Sequence, residues 1–396
     1  MPEPGTRTAD PSGRSGDRAP DGSSVTGPPA ATHEPRRRRA SPRTRVETAA
    51  IGALTSLPAA IQTRVGGGAL RVDGQTLDPS ARLAITAMRL TGRRALDTSS
   101  PEAMRAAMRR AALQGSGAPV EVGAVRDLQI AGPAGSIGLR HYVPPPSGPS
   151  WVRPGLLLFV HGGGHVAGDL DTHDAPCRLL CREAAVQVVS VDYALAPEHP
   201  CPAGLDDVLA AWRWVVANAE ALGADPDRLA VAGDSAGGHL SARLAIVTRD
   251  TGERAPDVQL LLYPAVDSRH PFPSAELFGE GFLLTADDVA WFEGKWLRGT
   301  GIALDDPRIS PLLTGDLAGV ARAIVVTAGF DPLRDEGRAY AGRLRDAGVP
   351  AIERCATSQM HGFINAIGIG RAARREVVRC ARILREELDR AAVAPR

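Results

Sequence analysis

Four short stretches of the chain carry groups that could do nucleophilic chemistry. Ser235, in Gly233-Asp234-Ser235-Ala236-Gly237-Gly238, is a hydroxyl set among residues small enough to permit a sharp turn. A serine hydroxyl attacks poorly until a base removes its proton, so it needs a histidine, and that histidine needs a carboxylate to hold it. Both follow in the order serine, acid, histidine: Asp331 in Asp331-Pro332-Leu333 and His361 in His361-Gly362-Phe363. The fourth stretch, His161-Gly162-Gly163-Gly164, has no nucleophile, but its glycine backbone can present N–H groups to developing negative charge. Ala236, which opens a helix behind Ser235, offers a third such donor beside those of Gly163 and Gly164.

Side chains of this kind must stand where buried elements end. The apolar runs 156–160, 229–232 and 321–328 have the length and composition of core strands, and they lead into the glycine loop, Ser235 and Asp331 respectively. A helix with Leu240, Leu244 and Val247 on one face follows Ser235, completing the strand, turn and helix that an exposed nucleophile requires. Asp335 and Glu336 also follow the third run, but in the first turn of a helix, where solvent and the helix dipole account for them. Asp331 lies at the strand exit itself and is preferred as the acid. His361 comes after a further helix and a short strand around 351–354. With a hairpin over 120–130 and 137–143, further strands near 188 and 260, and helices between the later strands, the expectation is an α/β fold with a mainly parallel sheet and right-handed crossovers.

Together with Asp192-Tyr193-Ala194-Leu195-Ala196-Pro197-Glu198-His199-Pro200, these motifs resemble the bacterial hormone-sensitive-lipase family of α/β-hydrolase esterases, over a span from about Val120 to the C-terminus. The resemblance implies Ser235 as nucleophile, Asp331 as acid, His361 as base, and Gly163, Gly164 and Ala236 as oxyanion hole. It implies a serine carboxylesterase acting on uncharged esters of short to medium acyl chain, with no cofactor and no metal. Deacetylation of a specific acetylated small metabolite would use the same machinery. A non-catalytic ligand receptor on the same fold could dispense with the histidine, and the complete Ser, Asp, His set speaks against it. The chain departs from the family pattern at His165 (more often aromatic), Ala194 (commonly arginine), Cys201 (commonly phenylalanine) and His239 (commonly asparagine). None of these removes a catalytic group, and His165 is expected to be partly exposed beside the glycine loop.

The 396 residues, 43% hydrophobic with a formal charge of +1, suit one large α/β domain with attachments and offer no surplus charge for a nucleic acid. Lys295 is the only lysine, and an arginine, alanine, glycine and proline bias of this kind reflects codon usage. Cys177, Cys181, Cys201, Cys355 and Cys380 form no metal-ligand pattern and suit inert thiols in a reducing, cytoplasmic setting. The mildly apolar 49–61 follows basic 36–39 as an export signal would, but Gly52, Thr55, Ser56 and Pro58 interrupt it, and no run is long enough to span a membrane.

The expected division is a flexible tail over 1–45, a helical cap segment over 46–118 and a catalytic domain over 119–396 with a cap insertion at about 270–299. In the cap, Ala81, Ile85, Met88 and Leu90 mark one helix, and Met104, Met108 and Leu113 another, capped by Ser99 or Ser100. The insertion is rich in aromatic residues, including Phe278, Phe282, Phe292 and Trp296. A final helix over 371–388 should pack on the sheet, and the edge strand at 351–354 is compatible with a homodimer.

Overall fold

The computed structural model describes residues 42–92, 94, 96–146, 153–269 and 272–393, so the first 41 residues of the expected tail lie outside the described part. Helix α1 (Pro42–Thr55) begins within the stretch expected to be tail. After it come α2 (Ala59–Val65), a small hairpin of β1 (Arg71–Val72) and β2 (Gln75–Thr76), α3 (Pro79–Thr91) and α4 (Pro101–Gly115). Asp78 caps α3 by accepting from the N–H groups of Ser80 and Ala81, and Ser100 caps α4 by accepting from Ala103; each cap precedes a proline at the first helical position. Ile85 and Met104 are buried, as their spacing predicts. Leu90 and Leu113 are not: both lie near the last turns of their helices and are exposed, Leu90 by 83%.

The sheet that follows has eight strands in the order β10-β9-β8-β7-β5-β6-β4-β3. In chain order they are β3 (Ala124–Gly132), β4 (Gly135–Val143), β5 (Leu156–Val160), β6 (Gln187–Asp192), β7 (Leu229–Asp234), β8 (Val258–Leu262), β9 (Arg322–Phe330) and β10 (Ala351–Met360). Every pairing from β6 through β10 is parallel, while β4 runs antiparallel to both β3 and β6. All five residues of β5 are fully buried, which is why it reads as an unbroken apolar run without alternation.

Helices cover both faces. On one side α5 (Asp174–Ala184) and α11 (Ala372–Val393) pack through Leu180, Cys181, Val377 and Leu384; on the other lie α6 (Ala203–Asn218), α7 (Ala236–Thr251) and α10 (Arg334–Asp346), through Trp212, Leu244 and Leu344. Between β8 and β9, α8 (Pro273–Phe278) and α9 (Ala286–Trp296) form the helical part of the insertion.

Two further elements differ from expectation. Strand β10 continues past Arg354 to Met360 with a register irregularity after Ala356, and its second half, Thr357-Ser358-Gln359, is too polar to read as a buried strand. Helix α7 is buried on nearly all sides, including His239, Ser241 and Arg243, so its single apolar face understates its packing. The cause is that it packs against β5, β7 and β8 and is flanked by α6.

Candidate active site

Ser235 sits between β7 and α7 at φ 55°, ψ −119°, a backbone conformation that non-glycine residues adopt only under strain. The flanking glycines make the turn possible. A Cβ on Gly237 would stand 2.0 Å from the Val160 carbonyl oxygen, and one on Gly233 would stand 2.2 Å from that of Gly237. Asp331 follows directly on β9, and His361 directly on β10. The His361 ring bridges the other two: Nδ1 is 2.8 Å from Asp331 Oδ2, and Nε2 is 2.9 Å from Ser235 Oγ. Asp331 is wholly buried and also accepts from the Leu333 N–H at 2.9 Å, while the Tyr263 ring packs against the imidazole at 4.6 Å.

Asp335 and Glu336 take no part in this bridge, and neither is a solvated first-turn residue. Asp335 accepts from the Ser274 N–H and so ties α10 to α8. Glu336 is buried and accepts from the N–H groups of Val266 and Asp267; burial pushes its carboxyl well above the usual range, against those two bonds.

The loop after β5 holds three successive residues with positive φ, Gly163 (123°), Gly164 (60°) and His165 (61°). Because a trans peptide is planar, fixing its carbonyl also fixes the direction of the next N–H. The Gly162 carbonyl meets His161 Nδ1 at 2.9 Å, the Gly163 carbonyl accepts from Val166 at 3.1 Å and Ala167 at 2.9 Å, and the Ser235 carbonyl accepts from His239 at 3.0 Å. The N–H groups of Gly163, Gly164 and Ala236 are therefore turned away from those partners. All three residues line one cavity of about 380 Å³ with Ser235 and His361.

Apolar side chains line that cavity, among them Met108 from α4 and Val289, Phe292 and Trp296 from α9. Phe292 lies so close that a Cβ on Gly164 would meet its ring at 2.2 Å. His165 is buried, not partly exposed: its ring stacks on Trp296 at 3.9 Å, with His239 edge-on to both at 5.1 Å. Burial holds His165 well below the usual imidazole range and His239 down to about 3, so both rings are neutral near neutral pH.

The α/β hydrolase fold family matches residues 157–365. The carboxylic ester hydrolase LipN of Mycobacterium tuberculosis is 47% identical over 310 residues, covering 77% of this chain and 81% of that one. The chain belongs to the α/β-hydrolase fold family. The ethyl acetate hydrolase of Pseudomonas putida is 39% identical over 266 residues, covering 67% of this chain and 83% of the relative. The solved structure of an ester hydrolase from the metagenome of Lake Arreo, in complex with a bipyridine phosphonate derivative, superposes with a TM-score of 0.73 at 40% identity, over 78% of this chain and 98% of that one.

Sequence reasoning missed the group that binds the two halves of this α/β-hydrolase site together. Asp234 is buried next to Ser235, and its carboxylate accepts from the Gly162 N–H at 2.8 Å and the Tyr263 hydroxyl at 3.3 Å, with His173 Nε2 at 3.2 Å. Burial alone would raise its pKa, but His173 and the Gly162 N–H outweigh it and hold the carboxyl below the usual range. His161 was also passed over. Stacked on Tyr193 at 4.3 Å and pushed down to about 4 by burial and by His173, it stays neutral, so its Nδ1 can carry the proton that the Gly162 carbonyl requires. Both residues stand inside motifs already singled out, where the nucleophile and the glycines drew the attention.

Proposed function

We propose that this chain is a serine carboxylesterase hydrolysing small, uncharged esters of short to medium acyl chain through an acyl-enzyme. The observation that carries this is the His361 imidazole within hydrogen-bond reach of both Ser235 and Asp331 at the wall of an apolar cavity. His361 Nε2 takes the Ser235 proton as Oγ bonds to the ester carbonyl carbon. The carbonyl oxygen, now negative, accepts from the N–H groups of Gly163, Gly164 and Ala236. Asp331 holds the ring through Nδ1–H and stabilises its protonated form. The tetrahedral intermediate collapses by breaking the bond to the alkoxy oxygen, which leaves as alcohol with the proton from His361. Water then attacks the acyl-serine, giving its proton to His361, and the acid departs as Ser235 regains a proton.

A cavity of about 380 Å³ lies at the small end of ligand pockets, which supports small esters over long-chain lipids. In this reading 46–118 and the insertion at about 270–299 act as cap over a catalytic domain spanning 119–396. The place of β10 at the edge of the sheet supports a homodimer, and five unpaired cysteines support a cytoplasmic location. Among the described residues no helix is long and apolar enough to cross a membrane.

The test is a p-nitrophenyl ester series from acetate to palmitate, run beside N-acetyl amides and followed by labelling with an organophosphate. The reading expects a maximum at about four to eight acyl carbons, since each buried methylene contributes about 0.8 kcal/mol until the pocket is full. It expects one adduct, on Ser235. Preference for palmitate over butyrate, or labelling of another serine, would overturn it.

A further inference from the structure

The loop that carries Gly163 and Gly164 is gripped by an arginine of the cap that does not itself line the cavity. Arg105, on α4, donates from Nε to the Val166 carbonyl at 2.8 Å and from Nη2 to the Ala196 carbonyl at 3.0 Å. Its guanidinium is also forked onto Glu198, with Nη1 2.8 Å from Oε1 and Nη2 2.6 Å from Oε2. Glu198 lies in the Ala-Pro-Glu segment after β6, and the N–H of Ala196 in that segment donates to the His165 carbonyl at 2.8 Å. Arg105 thus holds one carbonyl of the glycine loop directly and braces the segment that holds another.

Planar peptides turn these contacts into a relay. The Val166 carbonyl, drawn toward Arg105, leaves the N–H of Ala167 facing the other way, where it donates to the Gly163 carbonyl at 2.9 Å. The His165 carbonyl, held by Ala196, sets the N–H of Val166, which donates to the same Gly163 carbonyl at 3.1 Å. Two donors thus fix the Gly163–Gly164 peptide, and its N–H, belonging to Gly164, is left for the cavity. Three successive positive-φ residues have little intrinsic preference for this arrangement, so bonds from outside must select it.

We infer that Arg105 is a positioning residue of the oxyanion hole: it orients the Gly164 N–H through Val166, Ala167 and the Gly163 carbonyl, so that the cap sets catalytic power as well as pocket shape. The inference rests on the esterase reading above. Arginine suits this role because its flat fork serves two carbonyls and a carboxylate at once, which an ammonium cannot do.

The test is Arg105→Met, which keeps the apolar stem and removes every donor. For p-nitrophenyl butyrate, kcat should fall by about 10- to 100-fold with KM within about threefold, somewhat less than the loss from deleting a hole donor outright. Inhibition by a trifluoromethyl ketone, whose serine adduct carries the oxyanion, should weaken by the same factor as kcat. In a Ser235→Ala background, binding of the intact butyrate ester, read by tryptophan fluorescence, should be unchanged. If Arg105→Met does not fold, Arg105→Lys and Glu198→Gln carry the same test, with an expected kcat loss of about three- to tenfold, because each breaks the fork and spares part of the contact set. A kcat within twofold of wild type in the variant that folds would overturn the inference. So would a loss shared equally by ester binding, which would make Arg105 a pocket residue. Failure of the underlying reading shows separately, in a wild-type protein that neither turns over the ester nor accepts the organophosphate, and it removes the inference too.

Discussion

Ser235 and the glycine loop that faces it both hold backbone at positive φ, yet they are held from different places. The Ser235 turn is fixed by the sheet: its N–H donates to the Leu262 carbonyl at 2.9 Å, and its glycines press on the backbone of the strand-end Val160 and of the turn itself. The 163–167 loop draws only part of its support from the core, through Asp234 and His161, and the rest from the cap, through Arg105, Phe292 and Trp296. The proposed nucleophile is thus held by the sheet, whereas the proposed hole is held also by α4 and α9. Strain within a packed sheet needs no further partner, while a loop of glycines beyond the end of a strand has to be selected by side chains from elsewhere.

Several substitutions separate the two regions, and the largest effect belongs to the core. Ser235→Ala should lower kcat by about 10⁴- to 10⁶-fold and abolish organophosphate labelling. Asp331→Asn should cost about 10³- to 10⁴-fold with the fold intact, because the ring loses the acceptor that sets its tautomer. By contrast, Asp335→Asn should remain within about threefold, since an amide oxygen can still accept from Ser274. Steady-state kinetics on p-nitrophenyl butyrate check all three, and equal losses for Asp331→Asn and Asp335→Asn would remove Asp331 from the mechanism.

The glycines give a sharper contrast. Gly164→Ala puts a methyl into the Phe292 ring at a φ of 60°, so kcat should fall by about 10²- to 10³-fold while circular dichroism and Tm change little. Gly237→Ala puts its methyl against the Val160 carbonyl, inside the sheet, and should lower Tm by roughly 5 °C or more. If both acted on stability alone, the distinction between a core-held turn and a cap-held loop would fail. Trp296→Ala is expected to move the acyl-chain optimum up by one or more carbons at a cost of only a few-fold in kcat/KM for butyrate, because it widens the pocket and frees His165.

The smallest effect concerns acid. Glu198 is held down to about 2, chiefly by the hydrogen bonds from Arg105, against an unfolded value of 4.5. A depressed carboxylate stabilises the fold fully above its unfolded pKa, and that contribution is lost as pH falls from about 4.5 toward 2. Glu198 is half exposed, so solvent screens most of the interaction and the change in stability will be small. Urea titrations of wild type and Glu198→Gln should differ more at pH 6 than at pH 3. Asp234, also depressed but buried in the core, stabilises the fold fully above 3.8 and loses that contribution as pH falls below it.

Much of the fold was legible because buried parallel strands leave unbroken apolar runs, as at Leu156–Val160, and turns that only small residues can make leave glycine signatures, as around Ser235. Strand β10 was cut short because its Thr-Ser-Gln half has no partner on β9 and is held instead by the segment after β2, with the Asp78 N–H donating to the Ser358 carbonyl at 2.9 Å. Glu336 and His165 were misjudged because their burial comes from residues some 70 and 130 positions away, Val266 and Trp296, and local charge or polarity carries no trace of such partners.

By itself, the sequence determined the succession of strands along the chain, the residue types at their ends and the small residues that let those ends turn, all of which depend on interactions a few residues long. Only the tertiary structure decided that His361 reaches across to both Ser235 and Asp331, that Asp234 ties the two loops together, and that the cap helix α4 grips the glycine loop through Arg105. Hydrogen bonds of this kind require distances correct to a few tenths of an ångström between segments far apart in the chain, and that precision exists only after the sheet and cap have packed.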